Sequence, residues 1–174
     1  MAEPSRAASQ PAEVVALFVT AAQDVLHQEL GSFPSASAPT MADGPYRAHA
    51  ITALVGVVGD LRGALVLGLA ESTATALAAQ LLGTPPEEAA ALAPSGIAEL
   101  ANVIAGHACT ALAHAGLTVD ISPPTLILGA GSQVTTVHTA RQRVELTTPW
   151  GPIELQLALS ALPSSSPRIE RSVP

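Results

Sequence analysis

The sequence predicts an α+β domain in which long helices pack on a mainly antiparallel sheet, and three observations carry that expectation. Apolar residues recur at helical spacing over two long stretches, 11–30 and 95–116. The β-branched and Leu-rich segments come in blocks joined by turn-forming clusters. They do not alternate one by one with helices, which argues against a doubly wound parallel fold. The expected order is one helix, two strands, two helices and then about four strands.

The first helix is read over Pro11–Leu30, where Val14, Val15, Leu17, Phe18, Ala21, Val25 and Leu26 repeat at helical spacing and Gly31 and Pro34 close the segment. Residues 32–45, rich in Ser, Ala, Pro and Gly, read as a connection. Residues 48–58 and 64–69 form a hairpin about the Gly59-Asp60-Leu61-Arg62-Gly63 cluster. Ser72 or Thr73 is placed to cap a second helix carrying Ala74, Leu77, Ala78, Leu81 and Leu82 and ending at Gly83. Thr84-Pro85-Pro86-Glu87 has capping-box spacing with proline in the first turn. Pro94 and Ser95 then open the long helix, with Ser95 as N-cap, and that helix ends near Gly116.

Four strands are expected after Pro123-Pro124: residues 125–128, residues 134–138 beyond the Gly129-Ala130-Gly131 turn, and a hairpin of 143–147 with 153–159 through Pro149-Trp150-Gly151-Pro152. Trp150 is expected to anchor packing in that hairpin. No helix opens behind Gly129-Ala130-Gly131, so it is not a dinucleotide fingerprint. Residues 1–10 and 162–174 have the composition of solvated, flexible tails, which leaves 11–161 as one domain.

Composition removes several functions. The seven basic residues are all Arg, there is no Lys, the net charge is −7 and aromatics are 2%, so neither nucleic acid nor an anionic membrane is a natural partner. Absence of Lys excludes Schiff-base chemistry and the P-loop. Cys109 is the single cysteine, which suits a reducing, cytosolic setting. The longest apolar run, residues 48–59, is interrupted by His49 and too short to span a bilayer, and no signal peptide is evident. His107 and His114 share a helical face without a third ligand, and His27, His49 and His138 are scattered and carry no assigned role, so no metal or cofactor site is expected.

The chemistry-bearing feature lies on the long helix. Asn102 is the sole asparagine of the chain, three residues after Glu99, a spacing that sets both side chains on one helical face. On a helical wheel Ile97, Leu100, Ile104, Ala108, Ala111 and Ala115 form the core arc. Ser95, Glu99, Asn102 and Gly106 gather on the opposite side, and an acid and an amide there, with little bulk at Gly106 and Cys109, suggest a contact surface.

Ser95-x-x-x-Glu99-x-x-Asn102, the surrounding Glu-Leu-Ala-Asn-Val-Ile-Ala-Gly106, the Leu81-Leu82-Gly83 helix end, Ile121-Ser122-Pro123-Pro124-Thr125 and the terminal Thr-Pro-Trp-Gly-Pro hairpin resemble the CheX branch of the CheC/CheX chemotaxis phosphatases. The resemblance covers roughly residues 48–160 and implies hydrolysis of the aspartyl phosphate of a CheY-type response regulator. By resemblance, Asn102 orients the attacking water, Glu99 engages the regulator's lysine, and Ser95 and Gly106 border the contact. The regulator would bring the Mg²⁺, and the phosphatase would need no cofactor of its own. A single Glu-x-x-Asn matches the one-site CheX type and not the two-site CheC type. The resemblance further implies a homodimer joined through sheet edges. The alternative is a non-catalytic CheX-like adapter that docks on a signalling protein through the same helix.

Overall fold

The computed structural model describes residues 11–135 and 140–161 of the 174. The two tails, and the far end of the strand expected over 134–138, lie outside the described residues.

Helix α1 (Pro11–Leu30) is followed by three short strands, β1 (Ser35–Ala36), β2 (Thr40–Ala42) and β3 (Tyr46–Arg47). The segment read as a plain connection therefore contains strands, two of which pair with the distant β9 (Arg141–Thr148). Nothing local marks them: runs of two or three residues carry no periodicity, and their pairing partners lie about a hundred positions away. Strands β4 (Ile51–Gly59) and β5 (Leu61–Leu69) form the expected hairpin, with a tighter turn than the glycine cluster suggested, because β5 begins directly after Asp60. After helix α2 (Glu71–Leu82), the one-turn α3 (Pro86–Ala89) and the long α4 (Ala93–His114) come β6 (Val119–Ile121), β7 (Thr125–Leu128), β8 (Gln133–Val134), β9 and β10 (Gly151–Ala161).

One antiparallel sheet runs β1-β9-β10-β5-β4-β6, with β2 also on β9 and β7 also on β4, and β3 pairs with β8 as a separate ribbon. The register explains the two faces. Ile153, Leu69 and Ile51 lie in one row across β10, β5 and β4, as do Leu155, Leu67 and Ala53, and Leu157, Leu65 and Val55. These rows are buried against Phe18, Leu26, Leu77, Ile97, Ile104 and other residues of α1, α2 and α4, which forms the aliphatic core that the aromatic-poor composition required. The alternate rows face away from the helices, where Val66 packs with Tyr46 and Ala48 under the β3–β8 ribbon.

On that second face Glu154, largely buried, accepts from Arg143 Nε at 2.7 Å and lies 3.1 Å from His49 Nε2, while Gln156 donates to it at 2.8 Å. Arg141 Nε donates to Gln156 at 2.7 Å. Charge partners and hydrogen bonds offset the desolvation of this cluster. His49, given no role from sequence, thus has a structural one, and a Cβ on Gly68 would run into its ring. Burial holds the Tyr46 hydroxyl above its usual pKa, outweighing its contact with Thr52.

Helix ends depart from the sequence expectations where backbone turns replace side-chain caps. The residue before α2 is Ala70, with no side-chain cap, and Thr73 is buried inside the helix against Gly151. Gly83 ends α2 in the left-handed conformation, as expected. The capping box does not form: Pro85 precedes α3, and Thr84 Oγ1 is buried without a hydrogen-bond partner among the described residues. An unpaired buried hydroxyl costs on the order of 1–3 kcal/mol. Thr84→Val is accordingly expected to leave stability unchanged or raise it by about 1 kcal/mol, readable in the denaturation midpoint; a loss of that size would show that the hydroxyl is paired.

Candidate functional site

Helix α4 packs on α1, α2 and the sheet and also carries the polar arc. Its inner side, Ala93, Ile97, Leu100, Ala101, Ile104, Ala105, Ala108 and Leu112, is buried. The core arc drawn on the wheel is correct in its first two-thirds and drifts at the end: Ala111 is half-buried and Ala115 is exposed, while Leu112 takes the inner position. The helix packs chiefly on α1 and β4, so its last turn runs beyond the cover that the wheel presumes. Among the described residues α4 is the helix long and apolar enough to cross a bilayer by length and composition. A scan for unbroken apolar runs overlooks it because Ser95, Glu99 and Asn102 interrupt the pattern. Its packing is that of a core helix, with the apolar side against α1 and the sheet.

On the outer side Glu99 and Ser95 are exposed and Asn102 and Gly106 are half-exposed, so the structure brings all four to one surface. Neither Glu99 nor Asn102 has a hydrogen-bond or ion-pair partner among the described residues. Ser95 is not the N-cap. Helix α4 begins at Ala93, preceded by Leu92, and Ser95 stands in the first turn beyond Pro94. The backbone bonds Leu92 N to Ala89 O and Ala93 N to Ala90 O already coil the chain between α3 and α4, which moves the helix start ahead of Ser95.

Gly106 is informative because nothing inside the protein demands it. A Cβ there would meet nothing within 4 Å, yet glycine in a helix interior costs about 1 kcal/mol relative to alanine. Its carbonyl accepts from Thr110 Oγ1 at 3.2 Å, a bond within the same helix. Cys109 is half-buried, and burial, followed by the Asp120 carboxylate, pushes its thiol above the usual pKa, the opposite of the shift that activates a cysteine nucleophile. His107 and His114 are both exposed, and among the described residues no cluster of three His, Cys, Asp or Glu side chains is placed to hold a metal.

A feature that sequence reasoning misses borders the pair. The last turns of α1 and α2 and the first half of α4 enclose a groove of about 580 Å³, lined by Val25, Leu81, Leu82, Leu92, Val103 and others, with Glu29, Ser95 and Glu99 among its walls. Its apolar lining comes from three helices far apart in sequence, so no local pattern announces it. Leu82 and Leu92, each next to a helix boundary and exposed by 49% and 53%, are the residues that could have hinted at it.

Known proteins resemble this chain in overall sequence and in fold. The CheY-P phosphatase CheX of Thermotoga maritima is 28% identical over 119 residues, which make up 68% of this chain and 77% of that protein. A crystal structure of a chemotaxis protein CheX from Desulfovibrio desulfuricans aligns with a TM-score of 0.73 at 22% identity, covering 86% of this chain and 99% of that one. The crystal structure of a CheX-CheY-BeF3-Mg²⁺ complex from Borrelia burgdorferi aligns at 0.65 and 24% identity, over 84% and 97% of the two chains. The structural likenesses establish the CheC/CheX-type fold, α+β with an antiparallel sheet. Residues 51–147, more than half of the sequence and including the whole Glu99–Asn102 segment, match the family described as chemotaxis phosphatase CheX, and to that family this chain belongs.

Proposed function

We propose that this protein hydrolyses the aspartyl phosphate of a CheY-type response regulator, with Asn102 orienting the attacking water and Glu99 engaging the regulator. The observation that carries the reading is the arrangement on α4: an acid and an amide one turn apart, turned outward, with no partner among the described residues, on a rigid helix whose other side is core. Family membership and the likeness to the CheY-P phosphatase of Thermotoga support the same reaction class.

The chemistry asks little of the phosphatase. Water attacks phosphorus, the bond from phosphorus to the aspartyl oxygen breaks, and inorganic phosphate leaves the regenerated carboxylate. The acyl phosphate is already activated, so the contribution of the phosphatase is the placement of water. A neutral amide both donates and accepts hydrogen bonds and adds no repelling charge. Mg²⁺ belongs to the regulator in this scheme, in keeping with the Borrelia complex, which contains Mg²⁺ together with CheY, and the phosphatase needs no cofactor of its own. Bare Gly106 and small Ser95 flank the pair and let the partner's surface come close. The protein would work in the cytosol, as a homodimer in which a second copy adds at an outer sheet edge such as β1 or β6.

The test is the dephosphorylation rate of phosphorylated response regulators from the same genome. Wild-type protein is expected to accelerate at least one of them. Glu99→Ala should weaken binding by about tenfold, the scale of losing one charge-assisted contact. Measurable binding with no acceleration of any regulator would replace the phosphatase by an adapter.

A further inference from the structure

We propose that the groove beside Glu99 is the pocket by which the protein selects its response regulator, and that it receives an apolar side chain flanked by a basic one. The inference rests on the phosphatase reading of Glu99 and Asn102 and adds to it a second contact that the pair does not supply.

The first support is continuity. Ser95 and Glu99 form part of the groove wall, and Gly96, Leu100 and Val103 continue it along α4. Asn102 lies on the other flank of the Ser95–Glu99 ridge and does not line the groove. A partner that grips Glu99 and reaches Asn102 therefore straddles the ridge, with one part of its surface over the groove mouth. An open groove with two half-exposed leucines at its rim, Leu82 and Leu92, is costly in water. Covering it would form the desolvated centre typical of a protein contact, with the polar pair at its edge.

The second support is charge. The four described helices carry seven carboxylates and neither arginine nor lysine, whereas all four described arginines, Arg47, Arg62, Arg141 and Arg143, are on strands. The helical layer is thus a one-sign surface, and Glu29 and Glu99 bring that sign to the groove itself. A second copy of this chain would oppose acid to acid there, which disfavours self-association through this face. A regulator presenting Lys or Arg beside an apolar residue matches both the lining and the charge, and the acidic layer would draw it in from a distance.

The test pairs binding with turnover. Binding is measured on purified receiver domains of the same genome loaded with Mg²⁺ and beryllofluoride, and turnover on their phosphorylated forms, for wild type, Leu82→Asp, Leu82→Met and Glu29→Gln, with melting curves to verify folding. Leu82→Asp should raise both Kd and KM tenfold or more, an interface-anchor effect, with the loss in KM rather than in kcat, and Leu82→Met should restore both. Glu29→Gln should flatten the rise of Kd with ionic strength. If wild type turns over a regulator and Leu82→Asp matches it in Kd and KM, the groove assignment is overturned and the phosphatase stands. If wild type binds a receiver without turnover and Leu82→Asp weakens that binding, the groove assignment stands and the phosphatase falls. Failure of wild type to bind any receiver overturns both.

Discussion

Asn102→Asp is expected to lower the rate of regulator dephosphorylation by about 10²-fold or more, a larger loss than any binding contact here would give. The replacement keeps size and shape and changes two things. An ionised carboxylate only accepts hydrogen bonds, so it cannot hold water through a donated N–H while accepting from it. It also sets a negative charge toward phosphoryl oxygens, a repulsion of about 1 kcal/mol at 4 Å in water and about 4 kcal/mol in a partly excluded contact. Asn102 is half-exposed with no partner among the described residues, so the fold should register the change within about 0.5 kcal/mol. Single-turnover loss of the acyl phosphate, measured beside binding to the beryllofluoride form, separates chemistry from affinity. Asn102→Ala, which loses the amide without adding repulsion, should also be slowed, though less than Asn102→Asp. An Asn102→Asp rate within threefold of wild type would remove water placement from the role of this residue.

Gly63→Ala should cost more than about 4 kcal/mol, a large share of the roughly 5–15 kcal/mol that holds a domain of this kind together. Gly63 has φ +150, outside the range that residues with a Cβ adopt comfortably, and its Cβ would collide with the Ala158 carbonyl oxygen on β10. Relief requires β5 and β10 to separate, and these two strands share nine register pairs at the middle of the sheet. Gly106→Ala is the fitting comparison. It meets open space on a helix and should be neutral or stabilising by up to about 1 kcal/mol. Urea midpoints of the two variants measure the contrast, and a Gly63→Ala loss below about 1 kcal/mol would show that the sheet can shift without penalty.

What the sequence disclosed and what it withheld follow from the range of the interactions concerned. Long amphipathic periods are local, so α1 was readable to the residue and α4 to within about two, while the β4–β5 and β9–β10 hairpins were readable as pairs with ends misplaced by up to three residues. Glu99 and Asn102 were legible because one helix supplies both. Strands β1, β2 and β6 exist only because β9 and β4 hold them, and the expected Ser95 cap gave way to backbone turns from α3. The groove needs three helices at once, and the Glu154 cluster needs β9, β10 and the His49 segment that leads into β4. Both are facts of tertiary packing that no window of sequence contains.

The two sides of α4 answer to different selective demands. Changes at buried Ile97 or Ile104 are judged by whether the chain folds, while under the proposed function changes at outward-facing Ser95, Glu99 or Gly106 would be judged by whom it meets. Since a helix presents these sides through alternate sets of residues, the choice of partner can drift through substitutions that leave thermal stability untouched. A lineage, or an engineer, could therefore retarget such a protein to a new regulator by rewriting one stripe of side chains on an unaltered scaffold.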